Sequence, residues 1–431
     1  MTTDQIYNLF LKHPEVITDS RNIKPGGIFF ALKGANFNGN EFAAEAIKKG
    51  AAFAVVDEKS VLTNEKIILV DDVLKTLQDL AQAHRKKLVL PIVAITGSNG
   101  KTTTKELIAE VLAKKFNISF TQGNLNNHIG VPLTLLKMNA NTAFGIVEMG
   151  ANHPGEIADL CKIADPDYGI ITNIGKAHLE GFGSFEGVKK TKAELYNHLA
   201  QKNGIVFYNN DNTILKDLTK NIQNKVSYGT QNADLTAAPV SSPPFVHIKA
   251  NFPKGVLYLN TNLTGDYNIE NVIAAACVGN YFEVDPLKIQ EALKNYRPSN
   301  NRSQLIEKGN VKIIMDAYNA NPTSMHASIK SFLAGFPAEK SYLILGDMLE
   351  LGKYEIDEHH NLLSEIGKYP LKNIFLTGPI FTKAAKNLPF KTFRNIGSLC
   401  SYFKAHPLTE GAVLVKGSRG IGLEKVVECI N

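Results

Sequence analysis

Thr96-Gly97-Ser98-Asn99-Gly100-Lys101-Thr102-Thr103-Thr104-Lys105 is the stretch on which the reading of this chain turns. The apolar run before it, Leu88–Ile95, is bounded by turn signals and predicts a buried parallel strand. After it, Glu106–Leu112 has helical periodicity. Strand, glycine loop, Lys-Thr and helix together form a phosphate-binding loop, in which backbone N–H groups and the positive helix end cradle phosphates. Lys101 then reaches toward the transferred group, and Thr102 can hold Mg²⁺. The loop departs from the common pattern, because Gly97 lies three residues before Gly100 where five are usual, and Ile95 occupies the expected glycine position. A turn that is merely glycine-rich would leave the flanking strand, the helix and the Lys-Thr pair unexplained.

The chain has 431 residues, too many for one core, which predicts two to four domains. Hydrophobic content of 44% with 20% charged residues describes a soluble globular protein, and no 18-residue apolar stretch predicts a membrane span. The N-terminus lacks a basic segment followed by an apolar core, so a cytoplasmic location is expected. Cys161, Cys277, Cys400 and Cys429 fit no zinc spacing, and buried free thiols are expected. The net charge of +6 comes from dispersed lysines with no run of five basic residues, which argues against a nucleic-acid groove and fits small anionic substrates. Arginine is scarce, yet Arg21, Arg302 and Arg419 fall in motif-like segments, where its fork suits phosphate and carboxylate.

Three units are expected. Residues 1–86 alternate short strands with helices, and the polar His84-Arg85-Lys86-Lys87 marks a boundary. Residues 87–298 alternate strands (144–148, 168–173, 204–208) with helices, implying a mostly parallel covered sheet. Residues 225–263, with Ser241-Ser242-Pro243-Pro244, read as an antiparallel extension. Arg297–Arg302 is turn-rich and reads as a linker into 299–431. There the strands 312–316, 341–347 and 412–416 end in Asp316, Asp347 and Lys416, all expected to point into one cleft.

Glu148 closes a strand, a placement that suits a Mg²⁺ ligand near a phosphate loop and equally suits a solvated strand end. His178 follows a strand and by residue type alone is as often structural. Lys192 taken alone reads as an exposed helix lysine. Asn124, Asn126 and Asn127 suit an amide- or sugar-bearing ligand, or simply a turn.

Taken together, Gly97-Ser98-Asn99-Gly100-Lys101-Thr102-Thr103, Gly123–Asn127, Glu148-Met149-Gly150, Asn173–Glu180 and Lys192-Ala193-Glu194 resemble the muramyl peptide ligases of bacterial cell-wall synthesis. The resemblance runs the length of the chain in order. It implies an α/β fold of three domains: a small N-terminal uridine-nucleotide domain, a central phosphate-loop ATPase domain and a C-terminal Rossmann-like domain. Thr18–Gly26 and Phe29–Gly34 are similar to the family's uridine-nucleotide segment. Asp316–Met325, Leu345–Gly352 and Val415–Arg419 match the member that joins D-Ala-D-Ala to UDP-N-acetylmuramoyl-tripeptide, and the diaminopimelate-adding motif is absent. Two positions depart from the pattern: Asn38-Gly39-Asn40 stands where Asp-Gly-His is usual, and His128 replaces an acidic residue.

The resemblance implies ATP on Gly97, Ser98, Asn99, Gly100, Lys101, Thr102, Thr103, Asn268, Asn271, Arg302 and Asp316. It implies two Mg²⁺ ions on Thr102, Glu148 and His178, and a carbamylated Lys192. Lys101, His178, Lys192 and Arg302 would carry catalysis. Ser20, Arg21, Lys33, Asn124, Asn126 and Asn127 would meet the UDP-sugar, and Asn319, Asn321, Lys416, Ser418 and Arg419 the dipeptide. The expected protein is a monomer whose domains close around ATP, with no nucleic-acid partner. Other ligases of the fold (diaminopimelate- or lysine-adding enzymes, folylpolyglutamate synthase) and a non-catalytic nucleotide-binding module are the alternatives. No general base for the amine is evident.

Overall fold

The computed structural model describes residues 1–241 and 243–430, so Ser242 of the expected Ser-Ser-Pro-Pro segment lies outside the described residues. Three main sheets follow one another along the chain, with a two-stranded hairpin, Lys33–Gly34 against Phe37–Asn38, beside the first. The first is parallel, in the order Val16–Ile17, Ile28–Phe30, Phe53–Val56, Ile67–Leu69. Helices Thr3–Lys12 and Val73–Lys87 carry Ile6, Tyr7, Phe10, Leu77 and Leu80 into the core that includes Ile28, Phe30 and Val55.

The central sheet has nine strands, in the order 255–264, 245–252, 235–240, 225–229, 205–209, 168–171, 92–96, 144–148, 118–120. Neighbours from 118–120 through 235–240 run parallel, and only the last two pairings are antiparallel. The expected antiparallel extension therefore starts later than 225. The strand before the phosphate loop begins at Ile92 instead of Leu88; Pro91 has no N–H for a ladder, and Val89 is fully exposed. All five residues of Ile92–Thr96 are buried, as suits a central strand covered on both faces.

The C-terminal sheet runs 304–308, 310–315, 410–416, 341–346, 373–377, 391–393, parallel except for the edge hairpin 304–308/310–315. Asn321, with Ser324 completing a capping box, starts helix Pro322–Gly335 against it. Cys400 and Cys429 form a disulfide with Cα atoms 5.3 Å apart, which corrects the expectation of four free thiols. The two are distant in sequence, but helix Ile396–Ala405 packs on the terminal turns 423–428. Cys161 and Cys277 are free and buried, as expected.

At the boundary marked by His84-Arg85-Lys86-Lys87, His84 and Arg85 form a buried joint. Arg85 donates to Ala164 O, Leu88 O and Asp165 O (3.0 Å each) and to Asp167 Oδ2 (2.9 Å). His84 Nε2 donates to Met138 O (2.8 Å), and its Nδ1 lies 3.3 Å from Tyr7 O–H. No helix of the described residues is long and apolar enough to cross a membrane.

Candidate active site

The phosphate loop lies between two neighbouring strand ends, after Phe144–Glu148 and Tyr168–Ile171, where open parallel sheets bind ligands. Gly97 (φ +144°) and Gly100 (φ +77°) adopt backbone that side chains rarely tolerate, and a Cβ on Gly100 would fall 2.6 Å from Asn271 Oδ1. The adjacent strand braces the loop. Ser98 N donates to Asn173 O (2.9 Å), Asn99 N to Asn173 Oδ1 (3.0 Å) and Thr172 Oγ1 to Asn99 O (2.6 Å). Lys101 opens helix Lys101–Leu112 and folds back to donate to Gly97 O (2.8 Å). Burial lowers its proton affinity; Glu148 opposes this and Arg302 adds to it.

Glu148 is 1% exposed. Its Oε1 accepts from Thr102 Oγ1 (3.2 Å) and Asn126 Nδ2 (2.7 Å), and Thr121 Oγ1 takes its backbone N–H (3.0 Å). Its Oε2 is buried with no hydrogen bond, and Lys105 Nζ lies 3.8 Å away. A hydroxyl beside a carboxylate with one unspent oxygen fits Mg²⁺, which takes one or two carboxylates and completes its shell with phosphate and water. Among the described residues, no three His, Cys, Asp or Glu side chains converge as a metal cluster.

His178 sits at φ +50° before the short helix Leu179–Phe182, its Nδ1 2.5 Å from Glu350 of the C-terminal unit. Lys192, on helix Phe185–Gln201, is 1% exposed, so the reading of an exposed helix lysine is wrong. The 3.6-residue period turns it inward, 5.3 Å over the Phe182 ring. Burial, with the Lys101 charge adding, pushes its pKa down to about 7.

From the other side comes Arg302, its guanidinium stacked 3.5 Å over the Tyr318 ring and its Nε buried without a partner. Asp316 accepts from Lys416 Nζ (2.6 Å), Ser328 Oγ (3.2 Å) and Ser303 N (3.3 Å). Lys416 is 2% exposed, and its ammonium is already used by this pair. It holds Asp316 on the wall of the cleft it was expected to share with the dipeptide. Ser418 is likewise occupied, accepting from Leu349 N (2.9 Å), whereas Arg419 is exposed. Asp347 does not point into the cleft. It is fully buried and accepts from Ile380 N (2.9 Å) and Phe381 N (2.7 Å), starting helix Pro379–Ala384. Asn268 and Asn271 are buried and bonded together (2.8 Å), with Thr104 Oγ1 donating to Asn271 Oδ1 (3.0 Å). Asn321 Nδ2 donates to Asn99 Oδ1 (2.7 Å), and Lys176 Nζ pairs with Glu358 (2.8 Å), so the C-terminal unit rests against the loop.

One cavity of about 1220 Å³ gathers these groups, room for more than one ligand. Ser98–Thr103, Asn124, Asn126, Asn127, Glu148, His178, Asn268 and Asn271 line it from the central unit, and Arg302, Asp316, Asn319, Asn321, Lys416, Ser418 and Arg419 from the C-terminal one. Gly97 and Lys192 lie behind the lining. Ser20, Arg21 and Lys33 are not part of it; Arg21 bonds Asp19 (2.8 Å), and Lys33 pairs with Asp57 (2.9 Å) and Glu58 (3.0 Å), so local carboxylates use both cations. Tyr318, Glu350 and Lys105 escaped the sequence reading. The first two lie inside quoted motifs but carried no distinguishing spacing, and Lys105 looks like any helix lysine.

Three family profiles match in order: Mur ligase family, catalytic domain (residues 15–85); Mur ligase middle domain (95–279); and Mur ligase, glutamate ligase domain (301–419). The UDP-N-acetylmuramoyl-tripeptide–D-alanyl-D-alanine ligase of Bacillus subtilis is 35% identical over 427 residues, 96% of this chain and 92% of that protein. That of Escherichia coli is 32% identical over 96% of this chain and 93% of its own length. Among solved structures, MurF from Acinetobacter baumannii superposes with a TM-score of 0.89 at 28% identity, covering 99% of this chain and 98% of that one. MurF from Thermotoga maritima in complex with ADP gives 0.86 at 27% identity, covering 97% of each chain.

Proposed function

This chain belongs to the Mur ligase family, and we propose from that premise how its own residues carry out the reaction. It is an ATP-dependent, ADP-forming ligase that joins D-alanyl-D-alanine to UDP-N-acetylmuramoyl-tripeptide in peptidoglycan precursor synthesis. The observation that supports the division of labour is the single cavity: the phosphate loop and Glu148 line one side, Arg302 and Arg419 the other.

A carboxylate is a poor electrophile. The γ-phosphoryl group of ATP first passes to the tripeptide carboxylate, giving an acyl phosphate and ADP. The dipeptide amine then attacks the acyl carbon, and collapse of the tetrahedral intermediate releases phosphate and a proton, leaving the amide. The loop N–H groups and helix end hold the phosphates. Lys101, released from Gly97 O, and Arg302, already set on Tyr318, face the charge that gathers in both steps. Thr102, Glu148 and His178 would hold Mg²⁺, which supplies Lewis-acid stabilisation of phosphoryl oxygens when bound. Asn268 and Asn271 back the loop helix toward the nucleotide. Asn124, Asn126 and Asn127 face the UDP-sugar, and Asn319 and Arg419 the dipeptide, with Arg419 on its carboxylate.

Lys192 suits carbamylation. An amine titrating near 7 is partly neutral at cellular pH, and the neutral form adds CO₂ with loss of a proton. A buried cation beside Lys101 thereby becomes an anion. We read 1–86, 87–298 and 299–431 as the UDP-sugar, ATP and amino-substrate units of a cytoplasmic monomer.

Phosphate release tests the reading. With UDP-N-acetylmuramoyl-tripeptide and ATP present, release should depend on D-Ala-D-Ala; equal stimulation by free glutamate or diaminopimelate would overturn it.

A further inference from the structure

Glu350 lines the cavity, yet the reaction as described gives it no task. It lies in Leu349-Glu350-Leu351-Gly352, just beyond strand Ser341–Gly346, at φ +63°. His178, its partner across the junction at 2.5 Å, is at φ +50°. Apart from glycine, asparagine, aspartate and histidine, residues rarely occupy that region, so Glu350 is the unusual member of the two. A glutamate in that region marks a place where surrounding contacts over-determine the backbone, and strain of this kind clusters at ligand sites. The backbone repeats the contact, with Glu180 N donating to Glu350 O (3.3 Å). The Glu350 side chain keeps 52% exposure, so the His178 contact leaves part of it open.

A second observation concerns where Glu350 stands relative to Arg419. Leu349 N donates to Ser418 Oγ (2.9 Å), tying the two loops together one residue short of each charge. The bond therefore flanks itself with an anion on one loop and a cation on the other, both on the cavity wall. Arg419 is steadied by Tyr318, whose O–H is 3.4 Å from Nη1. A dipeptide zwitterion carries the complementary charges, an ammonium on its first residue and a carboxylate on its second, with Cα atoms about 3.8 Å apart.

We propose that Glu350 receives the ammonium end of the incoming dipeptide while Arg419 takes its carboxylate, so that this anion–cation pair selects an unblocked dipeptide. The inference rests on the ligase reading above. The dipeptide brings its reacting nitrogen to the site as an ammonium, and a carboxylate on this wall is complementary to it. The His178 contact leaves part of the Glu350 carboxylate open on the cavity wall.

The test compares native protein with Glu350→Gln, which keeps an acceptor for His178, and with Glu350→Ala, each checked for an unchanged melting profile. Glu350→Gln should raise KM for D-Ala-D-Ala by about 10-fold or more, the worth of a charged hydrogen bond. KM for ATP and for the UDP-tripeptide should stay within about 2-fold. Calorimetric titration provides a readout without turnover. Native protein should bind D-Ala-D-Ala more tightly than N-acetyl-D-Ala-D-Ala, and Glu350→Gln should lose that preference. A preference retained in the variant, or an equal rise in all three KM values, would show that Glu350 is only a strap between the units and would overturn the proposal. Should native protein neither bind the dipeptide nor respond to it in phosphate release, the ligase reading itself fails, and the assignment falls with it.

Discussion

Lys192→Met is expected to stabilise the protein while stopping turnover. The native side chain is 1% exposed, and its ammonium has been drawn from 10.5 down to about 7, chiefly because burial strips water from the charge. At about 1.4 kcal/mol per pH unit, a protonated Lys192 costs the folded state roughly 4 to 5 kcal/mol. Methionine replaces the stem and takes no proton. In the unfolded chain the amine stays protonated to about pH 10, whereas in the folded chain it gives up its proton near pH 7. Between those values the unfolded chain binds more protons, so native stability rises with pH. The penalty is complete below about pH 7 and fades toward pH 10. Urea unfolding of the central unit in bicarbonate-free buffer should show Lys192→Met ahead by about 2 to 4 kcal/mol near pH 6, after subtracting the lost contact with Phe182. The advantage should shrink by about 2 to 3 kcal/mol near pH 9. Bicarbonate should recover part of the difference for native protein only, since a carbamate also removes the cation. A stability difference of constant size across that pH range would refute the reasoning.

Lys101→Ala should fold normally and lose phosphate release, because its ammonium touches only loop carbonyls; near-native release from a folded variant would remove the loop from the mechanism. Asp316→Ala strands the buried Lys416 ammonium and should cost about 3 to 5 kcal/mol in the C-terminal unit. Adding Lys416→Met should return at least about 1 kcal/mol of that, and strictly additive effects in urea unfolding would contradict the pairing. Glu148→Gln should raise the Mg²⁺ concentration needed for half-maximal turnover by about tenfold or more, and an unmoved Mg²⁺ profile would count against Glu148 as a ligand. Asn321→Ala should lose about 1 kcal/mol with the helix cap. Asn321→Ser should restore stability but not the bond to Asn99, so a full return of kcat in the serine variant would show that bond to be idle.

Local pattern carried the fold a long way. The phosphate loop, the alternation of strands and helices and the turn-rich passage near 300 each depend on neighbours within about twenty residues, which is the range over which periodicity and turn chemistry speak. Side-chain direction at the far ends of those elements was not legible. Asp316, Asp347 and Lys416 all close parallel strands, yet one is paired, one caps a helix and one is the pairing cation, because the partner in each case comes from a segment remote in sequence. Lys192 looked exposed since polarity alone decides that reading, whereas its place on the helix turns it inward. Pro91 explains the late start of the loop strand and was visible beforehand. The Cys400–Cys429 pairing was not, since it depends on how the terminal turns fold back.

The Arg85 joint bears on where the chain can be cut and rejoined. Its guanidinium fills four acceptors of the following unit, and His84 fills a fifth. A break at residue 86 would loosen the hold on those acceptors, four carbonyls and the Asp167 carboxylate. Helix Val73–Lys87 thus travels with the phosphate loop, although sequence order assigns it to the first sheet. Chimeras that exchange the N-terminal unit between relatives should be spliced ahead of Asp72, the residue that starts this helix, and should fail to express in folded form when spliced after Lys87.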